Sequence, residues 1–74
     1  MMDPRERKVA FKSQAAREGK TASAAANDAC GVTWFHLSDG LKNKRPMSAD
    51  LKQKFAAYIG KTVEDVFGGD AAAA

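Results

Sequence analysis

Apolar side chains recur at helical spacing along most of the chain. In the clearest stretch they fall at i, i+4, i+7 and i+8, as on the buried face of an amphipathic helix. The members of that stretch are Leu51, Phe55, Tyr58 and Ile59. Near the start, Phe11 and Ala15 form another apolar pair four residues apart. No segment gives a strand signal, so the pattern predicts an all-α chain.

Polar caps and glycines divide the chain into five predicted helices, the last of them very short. Asp3 followed by Pro4 begins the first helix, which continues to Gly19. The expected caps of the later helices are Thr21 or Ser23, then Thr33, Ser48 and Thr62. The expected fold is therefore a compact five-helix bundle.

The second predicted helix, "ASAAANDAC", has almost only small side chains, which would let a neighbouring helix approach closely. Gly31 breaks this helix, and Thr33 begins a short third one in which Leu37 points inward. Gly40 or Asn43 would end the third helix, since both residue types tolerate a positive φ.

Size and composition indicate one small domain. The chain has 74 residues, and many of its 45% apolar residues are Ala, which buries little area. We assign residues 1–67 to a single domain and residues 68–74 to a flexible tail. The single cysteine, Cys30, excludes an intramolecular disulfide framework, and we expect its side chain to be buried.

The sequence also argues against several classes of function. The charged start "MMDPRERK" is unlike a signal peptide, and no run approaches the roughly 20 apolar residues of a membrane span. We therefore expect a cytoplasmic protein. His36 and Cys30 fall short of the about four ligands of a structural zinc site. Without a catalytic constellation or a glycine-rich nucleotide loop, we expect no metal, no cofactor, no small-molecule ligand and no enzymatic activity.

Charge is unevenly distributed around a net value of +3. Residues 1–20 carry six cations and three acids, and residues 42–54 carry five cations and one acid. Asp28 and Asp39 are the only charged residues between positions 21 and 41. Two basic zones on one face would bind a polyanion. The alternative is an ordinary solvated surface.

Four short motifs follow one another in the second half of the chain. They are Gly31-Val32-Thr33, Leu37, Lys44-Arg45-Pro46, and "GKTVEDVF" from Gly60 to Phe67. In this order and spacing they resemble the Cro/Xre-type helix-turn-helix family of phage repressors and small bacterial transcription regulators. The resemblance implies a lambda-repressor-like bundle whose third helix enters the major groove of DNA.

The chain departs from the family's pattern at Asn27, where the family usually has Ala or Gly, and at Asn43, where it has Gly. Two further departures concern the second and third helices. Thr21 lies one residue further from Gly31 than the usual cap, which indicates an extra residue or a shifted register in the second helix. Gly40 stands where the family has a bulky apolar residue, and we expect Leu41 or Trp34 to fill the space.

The resemblance implies two sets of DNA contacts. The expected base-reading residues are Thr33, Trp34, Phe35, Ser38 and Asp39. The expected phosphate contacts are Lys20, Thr21, Ser23, Lys42, Asn43, Lys44 and Arg45, and Lys8 and Lys12 would extend this patch. A helical-wheel count with Leu37 inward also places Phe35, Ser38 and Lys42 outward. Trp34 has a second interpretation, as a residue that packs at the edge of the core.

The function expected from these features is that of a Cro-like repressor, which binds a specific double-stranded DNA site and occupies an operator. By analogy with the family, a homodimer would form through the C-terminal helices, between Tyr58 and Phe67. The alternative is a protein-interaction module of the antitoxin or anti-activator type, in which Trp34 and Phe35 would grip a protein partner. Salt-dependent binding to any duplex would separate the two hypotheses.

Overall fold

Five helices build the part of the chain that the computed structural model describes, residues 2–68. They are α1 (Pro4–Arg17), α2 (Ala22–Ala25, continued by a π-helical segment, Ala26–Cys30), α3 (Trp34–Leu41), α4 (Ala49–Tyr58) and α5 (Val63–Phe67). The prediction of a small all-α bundle with a very short last helix is confirmed. None of the described helices is long and apolar enough to cross a membrane. Apart from Gly68, the predicted tail lies outside the described residues.

A polar side chain caps the start of each of these helices at a position that the sequence predicts. Thr21, Thr33, Ser48 and Thr62 each accept a hydrogen bond from the backbone N–H three residues later. Asp3 accepts in the same way from Glu6, whose side chain in turn accepts from the Asp3 N–H, so these two residues form a capping box. Thr21, and not Ser23, is therefore the cap of α2.

The helix that begins at Ala22 changes from α to π geometry at Ala26. The Gly31 N–H donates to the carbonyl of Ala26, five residues earlier, and also to that of Asn27. A π turn holds one more residue than the α turn it replaces. This matches the extra residue that the spacing from Thr21 to Gly31 indicates.

The core lies where all five helices meet, with Ala25, Ala26 and Cys30 contributed by α2 and its π-helical continuation. Its largest fully buried side chains are Phe11, Leu37, Leu41, Phe55 and Val66. The Phe11 ring lies 5.6 Å from the Phe55 ring and 5.0 Å from the Tyr58 ring, centroid to centroid. Leu37 is thus the core residue that the sequence predicts, and Cys30 is buried as expected.

Met47 occupies the space beside Gly40. A Cβ atom added to Gly40 would lie only 2.6 Å from Met47 Cγ, so the close approach requires glycine. The expectation that Leu41 or Trp34 fills this space is wrong, because the three nearest atoms all belong to the Met47 side chain. Gly40 therefore lies within α3, and the positive φ that follows the helix belongs to Asn43, at 64°.

Arg7 joins α1 to the ends of two other helices. Its Nε donates to the Val66 carbonyl at 3.2 Å, and its Nη1 donates to the Leu41 carbonyl at 3.2 Å and to Asn43 Oδ1 at 3.4 Å. The side chain is only 4% exposed. Carbonyls at helix C-termini carry partial negative charge, which makes them suitable partners for a buried guanidinium.

Candidate nucleic-acid interface

The outward face of α3 presents an aromatic, an acidic and a cationic side chain. Phe35 is 82% exposed, and Asp39 and Lys42 follow four and seven residues later on the same side of the helix. Thr33 lies exposed at the start of α3, where its hydroxyl oxygen accepts from the His36 N–H at 3.2 Å. The Thr33 hydroxyl proton can still donate to a ligand.

Ser38 does not lie on this outward face. It is 5% exposed and lies on the buried side of α3, so the expectation that it points outward to read bases is wrong. The helical-wheel count took Leu37 alone as the inward direction. Because successive residues are about 100° apart and Leu41 also points inward, the buried arc widens to include Ser38. A serine side chain is small enough to be enclosed there.

Trp34 packs at the edge of the core, one of its two predicted interpretations. Its ring stacks on the Phe11 ring with centroids 5.5 Å apart and planes inclined by 19°. The indole is only partly buried, and the ammonium groups of Lys12 and Lys8 lie 5.7 Å and 6.0 Å from its ring centroid. Both distances are within the range of a cation–π interaction.

Lys8, Lys12 and Lys42 form a cluster of like charges beside Trp34. Desolvation lowers the pKa of Lys8, and the positive charges of Lys42 and Lys12 lower it further. The first basic zone, on α1, is therefore continuous with the second zone at the end of α3. A polyanion placed over this cluster would relieve its internal repulsion.

The loop that follows α3 is exposed from Lys42 to Arg45. Arg45 Nη1 lies 2.7 Å from His36 Nδ1. Because a guanidinium only donates, Nδ1 must accept, and a neutral His36 then carries its proton on Nε2. The sequence gives no signal for this link, because the two residues are nine positions apart.

The N-terminus of α2 is less cationic than the sequence suggests. Lys20 lies 3.2 Å from Asp28 and 3.8 Å from Glu18, so two carboxylates offset its charge. Thr21 and Ser23 are exposed at the same helix end. The structure thus brings together the cations of α1, the end of α3 and its loop, whereas Lys20 is engaged by acids.

Comparisons of the chain with family models, with curated proteins and with solved structures give no match. The candidate interface is therefore defined by its own geometry and charge. Its parts are the outward face of α3, the loop from Lys42 to Arg45, and the lysine cluster beside Trp34. We call these three parts together the basic face.

Proposed function

We propose that this protein binds a specific double-stranded DNA site and regulates transcription, acting as a Cro-like repressor that occupies an operator. The observation that carries the proposal is the position of Phe35, whose exposed ring projects from a short helix bordered by lysines. Phosphates would meet the lysines, and base edges would meet the outward face of α3.

The dimensions of α3 suit a major groove. An α-helix with its side chains is about 10–12 Å in diameter. The major groove is about 12 Å wide and admits one α-helix. Within the groove, the Phe35 ring suits a thymine methyl group, and the Asp39 carboxylate suits the amino group of cytosine.

The loop after α3 would hold the sugar-phosphate backbone. Lys44 and Arg45 are exposed, and the His36 Nε2–H adds a neutral donor beside them. Asn43 has a second role, because its side-chain oxygen already accepts from Arg7. We therefore assign most of the sequence-independent affinity to Lys42, Lys44 and Arg45.

Salt dependence tests this assignment directly. We would measure binding to a random-sequence duplex by fluorescence anisotropy at several salt concentrations. The slope of log K against log salt should be about −0.9 for each phosphate neutralised. Replacing both Lys44 and Arg45 with Ala should make the slope less negative by about 1–2 and weaken binding to every sequence.

The matched control replaces Lys54 and Lys61, which removes the same charge from α4 and from the loop before α5. The slope of this control should stay close to that of the parent protein. Equal changes in the two double variants would show attraction to net charge alone, and no measurable duplex binding by the parent protein would reject the proposal.

The second candidate function is a protein-interaction module on the same fold. It is favoured by the exposure of Phe35 and by Asp39 on the same face, since a carboxylate is repelled by phosphates. Absence of duplex binding, together with loss of a captured protein partner on replacement of Phe35 by Ala, would favour this candidate.

Dimerisation through the C-terminal helices belongs to the same proposal. Tyr58, Ile59 and Val63 are partly exposed and available for such a contact, whereas Val66 and Phe67 are already buried in the core of their own chain. Sedimentation equilibrium of the free protein and of its complex with duplex would measure the stoichiometry. A single copy bound to a two-fold symmetric site would reject this part.

A further inference from the structure

A pocket of about 450 Å³ lies beneath the loop that follows α3. The buried Arg7 lines it from α1, Lys44 and Arg45 line it from the loop, and Lys52 lines it from α4. Met47 and Phe67 supply apolar surface. The volume is within the range of about 300–1,000 Å³ that is usual for small-molecule sites.

The charged side chains that line this pocket are all cationic. Within residues 2–68, none of the residues that line it is acidic, and its four cations lie more than 4.0 Å from any described carboxylate. The Arg7 guanidinium carbon lies 4.7 Å from the Phe67 ring centroid, and the Lys52 ammonium lies 5.7 Å from it. Two cations thus converge on one aromatic ring.

The hydrogen bonds of Arg7 do not neutralise its charge. Burial lowers the pKa of Arg7, and the charge of Asp3 opposes this only in part, from beyond the 4.0 Å of an ion pair. The described acceptors of Arg7 are two carbonyls and one amide oxygen, which satisfy Nε and Nη1 but carry no full negative charge. A buried cation that no carboxylate pairs with directly is unfavourable, and an anion in the pocket would lower this cost. Phosphoryl groups suit such a site, because Arg and Lys both bind them strongly.

We propose that this pocket binds a small phosphorylated molecule. Its phosphoryl group would lie between Arg7, Lys44 and Lys52, and its less polar part would lie against Met47 and Phe67. The site shares Lys44 and Arg45 with the loop that we propose holds the DNA backbone, but it does not include the outward face of α3. It revises the expectation that the protein has no small-molecule ligand. The proposal does not depend on DNA binding.

The test is an NMR titration of the whole ¹⁵N-labelled protein at constant ionic strength, followed through its backbone amide signals. The probes are inorganic phosphate, adenosine monophosphate, and adenosine as the uncharged control. We expect saturable shifts of the amides around Met47 and Phe67, with a Kd for adenosine monophosphate of about 1 mM or lower. Adenosine alone should bind at least tenfold more weakly, which is about 1.4 kcal/mol.

Paired variants locate the binding. Lys52→Gln should weaken binding of adenosine monophosphate roughly tenfold, because it removes one charge-assisted hydrogen bond. Lys61→Gln removes the same charge outside the pocket and should leave the affinity unchanged. Arg7→Lys should also weaken binding, and its unfolding curve would show whether the fold is retained. Lys52→Gln tests the pocket independently, because it does not alter a buried residue.

Three outcomes would overturn the proposal. The first is the absence of saturable shifts with either phosphorylated probe. The second is an equal loss of affinity in Lys52→Gln and Lys61→Gln, which would indicate general attraction to positive charge. The third is a response of the pocket amides to a short DNA duplex but not to the free phosphorylated probes, which would assign the pocket to the DNA backbone.

Discussion

The ring of Trp34 stacks on the ring of Phe11, and the next residue along the chain, Phe35, points into solvent. The two neighbouring aromatics of α3 therefore have different environments. Trp34 attaches α3 to the fully buried ring at the centre of α1, whereas Phe35 is held outward by that attachment. This division predicts different effects when each is replaced.

Replacing Trp34 with Ala should destabilise the domain. The partly buried indole would lose both its stacking on Phe11 and its apolar contact, so we expect a loss of about 2–3 kcal/mol in the free energy of unfolding. Urea denaturation followed by circular dichroism measures the change. Phe35→Ala is the matched control and should cost less than about 0.5 kcal/mol. Equal losses would contradict the orientation of α3.

Replacing Phe35 with Ala should instead affect recognition. If the Phe35 ring contacts a base, affinity for a selected duplex should fall by about 1–3 kcal/mol, the usual effect of one base contact. Affinity for random duplex should hardly change, since the phosphate contacts remain. Parallel anisotropy titrations at one salt concentration would compare the two. An equal loss on both duplexes, or none on either, would mean that Phe35 reads no base.

Replacing Gly40 with Ala should be destabilising, although Ala is the better helix former. The added Cβ would collide with Met47 Cγ, and such overpacking typically costs about 1–3 kcal/mol. In a Met47→Ala background the collision is removed, so the same substitution should stabilise the domain by up to about 1 kcal/mol. Unfolding free energies of the four proteins in this cycle test the contact. The same sign in both backgrounds would contradict it.

The hydrogen bond from Tyr58 Oη to Glu18 Oε1, at 2.8 Å, predicts a loss of stability at high pH. Burial raises the pKa of Tyr58 to about 12, and the bond to Glu18 and its charge add to the rise. The unfolded value is about 10, so the native state holds the proton more tightly. The stabilisation from this group should be complete below about pH 10 and should be lost as the pH rises towards 12.

Tyr58→Phe removes this contribution and should flatten the pH profile of unfolding over that interval. Tyr58 is the only tyrosine, so its absorbance titration can be assigned without ambiguity. A midpoint near 10 in the folded protein would contradict the raised pKa. The bond from Tyr58 also lowers the pKa of Glu18, so Glu18 stabilises the fold above its unfolded pKa and this stabilisation is lost as the pH falls.

Local features of the fold could be predicted from the sequence, because they depend on residues three or four positions apart. Asp3, Thr33 and Ser48 cap their helices as expected, since each cap bond closes within one turn. The predicted apolar face of α4 is confirmed for the same reason, because its members lie three or four positions apart. The spacing between Thr21 and Gly31 even indicated the extra residue that the π turn holds.

Features that depend on distant contacts could not be predicted. Arg7 bonds to residues 34 and 59 positions away, and no local pattern distinguishes it from the exposed cations of α1. Met47 reaches Gly40 only because the intervening loop turns back. The assignment of an interface to α3 and its loop therefore stays a prediction. The orientation of Ser38 and the acidic partners of Lys20 could not be predicted, because they depend on how the helices meet.

The link between Arg7 and Val66 also bears on how the chain reaches its native state. Val66 accepts from Arg7 and from the backbone N–H of Met2, which joins the two ends of the described chain across 59 and 64 residues. During synthesis, α1 leaves the ribosome before α5, so the carbonyl that fixes its buried cation emerges 59 residues after Arg7. We expect the core to close only once α5 is free, so that a nascent chain stalled before Val66 would expose the apolar face of α1 to chaperones and proteases.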